Sequence, residues 1–207
     1  WRVDAFENVE SPNAIREILN EMKHIIKESI LVYTFRSKNQ GGCKALSAAD
    51  IYDIHQVAAE SDVVDFIDVE YFEAKNPQKE IARLQEMGVY VIASHHDFDE
   101  TPDDRILRML MEQMQQGGAD VAKLAVMPKN ADDVVRLLKL TNDIRQKYPT
   151  LPVVTMSMGA LGVVSRMAGE IFGSCITFGA VGEISAPGQI PAGQLEHILQ
   201  IIHKGLE

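Results

Sequence analysis

The sequence predicts an α/β fold, a parallel sheet with helices on its faces. Three observations predict it. Short apolar runs rich in β-branched residues alternate with helix-spaced stretches about six times, at a period of roughly 25–30 residues. No GxGxxG or GxxxxGK(S/T) follows the early runs, which weakens a nucleotide-binding open sheet. Polar residues end nearly every run instead of gathering at one crevice. That distribution favours a closed (β/α)8 barrel, whose site collects loops from the whole ring.

The strand candidates are Leu31–Arg36, Val64–Glu70, Tyr90–His95, Asp120–Val126, Pro152–Met158 and Ser174–Phe178. Arg2–Asp4 reads as the tail of another. Helical stripes are formed by Ile15, Ile18, Leu19, Met22, Ile25 and Ile26, by Ile106, Leu107, Leu110 and Met114, and by Val134, Val135, Leu138 and Ile144. Ser47 with Asp50, Thr101 with Asp104, and Asn130 with Asp133 are expected helix starts, because short polar side chains cap free backbone N–H groups. Gly88, Gly117–Gly118 and Gly159 mark turns. A last helix is expected from about Pro191 to Lys204. The chain opens at Trp1, in what reads as mid-strand, so the expectation is a barrel whose N-terminal strand and helix are missing from this chain. Residues 1–207 then form one catalytic domain.

The formal charge is −10 and the pI about 5.1, which argues against a nucleic-acid footprint. An anionic substrate stays possible, because a few arginines can set the field inside a pocket. Cys43 and Cys175 stand far apart, with no CxxC pair, and read as two free thiols in a reducing cytosol. No apolar run approaches the ~18 residues of a membrane span.

Lys123 lies inside the run DVAKLAV, with Val121 and Ala125 on its own face. Desolvation there lowers a lysine's pKa and leaves a neutral amine able to attack a ketone. A lysine snorkelling out of a strand end, or paired with a carboxylate, is the competing reading. His95 and His96 close the preceding run and point to opposite sides, so at most one faces the Lys123 side. A histidine suits repeated proton give-and-take; metal binding is the alternative, although no carboxylate-rich partner motif follows. Arg2, Arg36 and Arg166 sit at or just past strand ends. Each alone could be a surface salt bridge, but together they suit a small, acidic, hydroxylated substrate. The loop from Ser185 to Ile190 (SAPGQI) could be a lid, with Ser185 and Gln189 donating hydrogen bonds, or a plain connection.

Taken in order, WRVD at Arg2, TFRS and QGG between Thr34 and Gly42, and IDVE ending at Glu70 resemble the type I 3-dehydroquinate dehydratases. So do SHHDF and TP from Ser94 to Pro102, VAKLAVMP, MSMG with Arg166, and FG to SAPGQI. The resemblance spans essentially the whole chain. It implies a (β/α)8 TIM barrel that removes water from 3-dehydroquinate to give 3-dehydroshikimate in the shikimate route to aromatic amino acids. It implies no cofactor and no metal, a cytoplasmic enzyme, and often a homodimer. By resemblance, Lys123 forms an imine with the ring ketone and His96 is the general acid and base. Arg166 clamps the substrate carboxylate, Arg2 and Arg36 contact the hydroxyl side, and Ser185 and Gln189 belong to a closing loop. Asp68 is implied as a carboxylate near the histidine, and His95 has no role.

Two departures stand out. Gln40 occupies the position where the family has a glutamate directed at the catalytic histidine. The amide can orient an imidazole but cannot stabilise imidazolium by charge, so a lower His96 pKa is expected than in Glu-bearing relatives. The family's substrate-binding Glu just before WR lies outside this chain. Two other functions compete: a Schiff-base aldolase acting on sugar phosphates, which lacks a matching phosphate loop here, and a non-catalytic metabolite sensor, which would tolerate loss of Lys123.

Overall fold

A computed structural model describes residues 1–184 and 186–207. The chain divides into two compact units, Trp1–His95 with Met114–Asp120, and His96–Gln113 with Val121–Glu207.

In the first unit, β1 (Val32–Thr34), β2 (Phe66–Glu70) and β3 (Tyr90–Asp97, its last two residues in the second unit) run parallel in that order. Helices α1 (Pro12–Ile25), α2 (Ala48–Ala59) and α3 (Pro77–Glu86) precede or connect them. Ser11 caps α1 by accepting from Ala14 N–H, and Pro12 fills the first turn, where a missing N–H costs nothing. Ser47 and Asp50 form the expected reciprocal capping box on α2. Ile15 and Leu19 of α1, Ile54 and Val57 of α2, and Ile81 and Leu84 of α3 supply the buried faces.

In the second unit, β4 (Val121–Val126) and β5 (Val153–Ser157) pair in parallel, Lys123 opposite Val154. Helices α4 (Asp104–Gln116, its last three residues in the first unit), α5 (Ala131–Lys147), α6 (Val163–Met167), α7 (Gly169–Phe172) and α8 (Ala192–Lys204) complete the β/α alternation. Asn130 caps α5 as expected. The cap of α4 is Asp103 rather than Thr101: its Oδ1 accepts from Arg105 and Ile106 N–H, while the Thr101 hydroxyl donates to Met127 O.

The α/β class is as expected, but besides the α4 cap other details differ, among them Ile25 and Ile106, stripe residues that face solvent. Ser174–Phe178 is not a strand; only a bridge from Ser174 to Val153 forms. The Ser174 hydroxyl accepts the Thr155 N–H that a continued ladder would have paired with backbone, so the pairing stops. Arg2 bridges Thr34, but Val3–Ala5 turns into a single 3-10 turn instead of continuing a strand. In α5, Val135 faces solvent and Leu137, Leu140 and Thr141 point inward with Val134 and Ile144. Among the described residues no helix is long and apolar enough to cross a membrane.

Candidate functional site

In the second unit, Lys123 is the third residue of a strand buried along its whole length, and is itself 7% exposed. Its Nζ lies 5.0 Å from the centre of the Phe178 ring. A lysine in such a place is costly unless used, since burial disfavours the charged form. His96 belongs to the same unit, half-buried at the end of β3. His95, half-buried, packs edge-on against Phe72 in the first unit, ring centres 5.2 Å apart.

Arg166 sits in α6, one short loop after β5. Gly162 permits this loop, because a Cβ there would lie 2.1 Å from Ser157 O. The Ser165 hydroxyl accepts from Ser157 N–H and donates to Gly162 O, fixing the start of the helix on the strand end. Arg166 is 1% exposed and makes no ion pair with any described residue. Its Nη2 donates to Pro187 O at 3.0 Å, Nη1 has only Met156 Sδ at 3.7 Å, and Nε has no partner. Burial pulls its pKa below the ordinary value, yet a guanidinium stays cationic. Among the described residues this buried cation has no anion.

The loop that holds Pro187 is tied down locally. Pro187 O also accepts from Gly159 N–H, and Gln189 Oε1 accepts from Ala186 N–H at 3.1 Å. Gly188 is left-handed (φ 75°), and a Cβ there would lie 2.4 Å from Gly159 O. Ser185, the other residue expected in this loop, lies outside the described residues.

In the first unit, Arg36 follows β1 and is 3% exposed. Nη2 donates to Asp68 Oδ2 at 2.8 Å, and Nη1 to Glu70 Oε1 at 2.9 Å and Ser94 Oγ at 3.0 Å. The Ser94 hydroxyl in turn donates to Asp68 Oδ1. Gln40, 2% exposed, ends the short 3-10 turn Lys38–Gln40 that follows. Arg2 is held by Asp4, Nε to Oδ1 at 2.7 Å and Nη2 to Oδ2 at 2.8 Å. Asp4 is fully buried and also accepts from the backbone N–H groups of Arg36 and Cys43.

Lys123, His96, Arg166 and Gln189 all fall in the second unit, and Arg2, Arg36, Gln40 and Asp68 in the first. Sequence reasoning missed Asp4, Glu70 and Ser94 as the groups that orient the two arginines. All three lie in the runs already singled out, and acidic or hydroxyl residues at strand ends beside arginines are the signal that could have found them. Cys43 and Cys175 are free and exposed, and no group of three His, Cys, Asp or Glu among the described residues could hold a metal.

Residues 1–205 match the family described as type I 3-dehydroquinase. The chain is 40% identical over 210 residues to the 3-dehydroquinate dehydratase of Bacillus licheniformis, covering 100% of this chain and 82% of that protein. The structure matches the crystal structure of 3-dehydroquinate dehydratase from Geobacillus kaustophilus with a TM-score of 0.94 and 34% identity, over 99% of this chain and 79% of that one. It matches type I 3-dehydroquinate dehydratase from Clostridium difficile, solved with covalent modified comenic acid, with a TM-score of 0.94 and 42% identity, over 99% and 81% of the two chains.

Proposed function

The chain belongs to the type I 3-dehydroquinase family, and on that premise we propose that it dehydrates 3-dehydroquinate to 3-dehydroshikimate through an imine on Lys123. The observation that carries this reading is a lysine in the interior of a strand buried along its whole length. A desolvated lysine is the one side chain here suited to attack a ketone as a neutral amine.

In the proposed mechanism the amine adds to the ring carbonyl, and the carbinolamine hydroxyl takes a proton from His96 and leaves as water, giving a protonated imine. That cation is an electron sink. His96 removes a proton from the adjacent carbon, and the C–H electrons move into the ring as an enamine. The enamine expels the hydroxyl one carbon further on, which takes its proton from the same His96 and leaves as water. Hydrolysis of the remaining imine returns the Lys123 amine and frees the product.

Arg166 receives the substrate carboxylate. Its buried, partnerless Nε supports that role, because an unpaired donor on a buried cation is costly until an anion arrives. Arg2 and Arg36 contact the hydroxyl side of the ring, each oriented by the carboxylates it already grips. Asp68 and Gln40 support the imidazole, and Ser185 and Gln189 act from the closing loop. We further take residues 1–207 to act as one catalytic domain, in a cytoplasmic homodimer that uses no cofactor.

Borohydride reduction tests the reading. Incubation with 3-dehydroquinate and borohydride should add one reduced ligand mass at Lys123, and Lys123→Met should take none. Folded wild-type protein that stays unmodified would overturn the imine mechanism.

A further inference from the structure

Less engaged than Arg166, whose Nη2 at least donates to Pro187 O, is Arg83 on α3. Its Nε and Nη2 are buried without a hydrogen-bond partner, and Nη1 has only Met87 Sδ at 3.9 Å. Nε with Nη2 is the side of the guanidinium by which Arg2 holds the carboxylate of Asp4. In Arg83 that side has nothing to hold. The group rests instead on the face of Tyr52, 3.6 Å from the ring centre. To meet a ligand the fork would turn this edge outward while its charge stays over the ring face.

Arg83 and Tyr52 line a cavity of about 790 Å³ between α2 and α3, wholly within the first unit. That size suits a small-molecule site. Its apolar wall includes Phe35, Ile51 and Val69. His55 adds a second polar point. It is 2% exposed, its Nδ1 lies 2.7 Å from Glu80 Oε1, and its Nε2 is buried with no partner. Since a carboxylate only accepts, Nδ1 carries a proton, and Nε2 is a second ring nitrogen that no described residue hydrogen-bonds.

We propose that this cavity is a second binding site, for a small planar aromatic carboxylate that bears a hydroxyl. The carboxylate pairs with the Nε–Nη2 edge of Arg83, the ring lies along the apolar wall beside Tyr52, and the hydroxyl, which can donate or accept, hydrogen-bonds to His55 Nε2. Two acidic groups of the lining are already committed, Glu70 to Arg36 and Ser37, and Glu80 to His55. Lys75, Lys79, Glu73 and Glu86 also line the cavity, and Arg83, whose charge helps hold the Glu80 pKa down, is the lining cation with a buried edge that no described residue hydrogen-bonds.

The probe is 4-hydroxybenzoate, titrated calorimetrically. Because Arg166 could also take a carboxylate, the titration uses Arg166→Gln. One probe per chain should bind that variant, and adding Arg83→Met should weaken binding at least about tenfold, the scale of a lost charge-assisted pair. Arg83→Lys, which keeps the charge but not the fork, should weaken it too, and serves if the methionine variant folds poorly. Absence of binding in Arg166→Gln, or binding indifferent to Arg83, overturns the proposal. Borohydride trapping at Lys123 should proceed normally in Arg83→Met, so failure here is distinct from failure of the dehydratase reading.

Discussion

Asp4 and Arg2 meet edge to edge, with Nε on Oδ1 at 2.7 Å and Nη2 on Oδ2 at 2.8 Å, in a place where the carboxylate has no access to solvent. Burial by itself would raise the Asp4 pKa. The Arg2 pairing and the N–H groups of Cys43 and Arg36 outweigh it, and the net shift is below the ordinary value. A carboxyl with a depressed folded-state pKa contributes stability that is complete above its unfolded value, about 3.9, and is lost as the pH falls through the folded value. Urea midpoints of the wild type should therefore fall between about pH 5 and pH 3 more steeply than those of Asp4→Asn. The variant should also raise KM for 3-dehydroquinate more than it lowers kcat, since Arg2 loses its anchor. Parallel pH curves would show that Asp4 contributes nothing to acid stability.

Arg166→Gln separates function from stability. Removing a buried cation with no anion partner relieves a desolvation cost, so the variant should melt within a few degrees of the wild type or above it. Its kcat/KM should drop by about 100-fold or more, because the substrate carboxylate loses charge-assisted bonds worth about 1.5–3 kcal/mol each. A collapse in thermal stability with activity retained would mean that Arg166 is a structural residue.

Gly42→Ala tests how the Arg36 cluster is held. A Cβ at residue 42 would lie 1.8 Å from Arg36 O, so the backbone that aims Arg36 at Asp68 and Glu70 must move. The expected cost is about 3 kcal/mol or more, with activity lost alongside. Gly88→Ala, at φ 93° but in open space, should cost only about 1 kcal/mol and leave activity unchanged. Chemical denaturation of both variants decides it. Equal losses would mean that the clash at residue 42 relaxes freely.

Gln40→Glu should place a charge where the buried amide now stands. If residue 40 faces the imidazolium form of His96, the pH–rate profile shifts its acidic limb upward, because a nearby anion favours the protonated ring. An unchanged limb would show that the two positions do not couple.

Much of the fold was legible in the residues. Five of the six proposed strands and the caps at Ser47 and Asn130 follow from local chemistry: β-branched runs, and short polar side chains before apolar stripes. Ser174–Phe178 failed for a reason that local pattern cannot carry. A single hydroxyl diverts the Thr155 N–H, and the sequence does not say which N–H a serine will meet. Val135 failed because an apolar residue next to the stripe reads the same whether it faces in or out.

What the sequence determined by itself is the chemistry available: a lysine within an apolar strand, a histidine at the next strand's end, and arginines where strands finish. What only the tertiary structure decided is which of those charges are already neutralised. Arg2 and Arg36 hold carboxylates brought from residues 2 to 34 positions away, whereas among the described residues Arg166 finds no partner for Nε and Arg83 none for Nε and Nη2. Partnership depends on distances of about 3 Å between side chains, and the linear order of residues does not contain those distances.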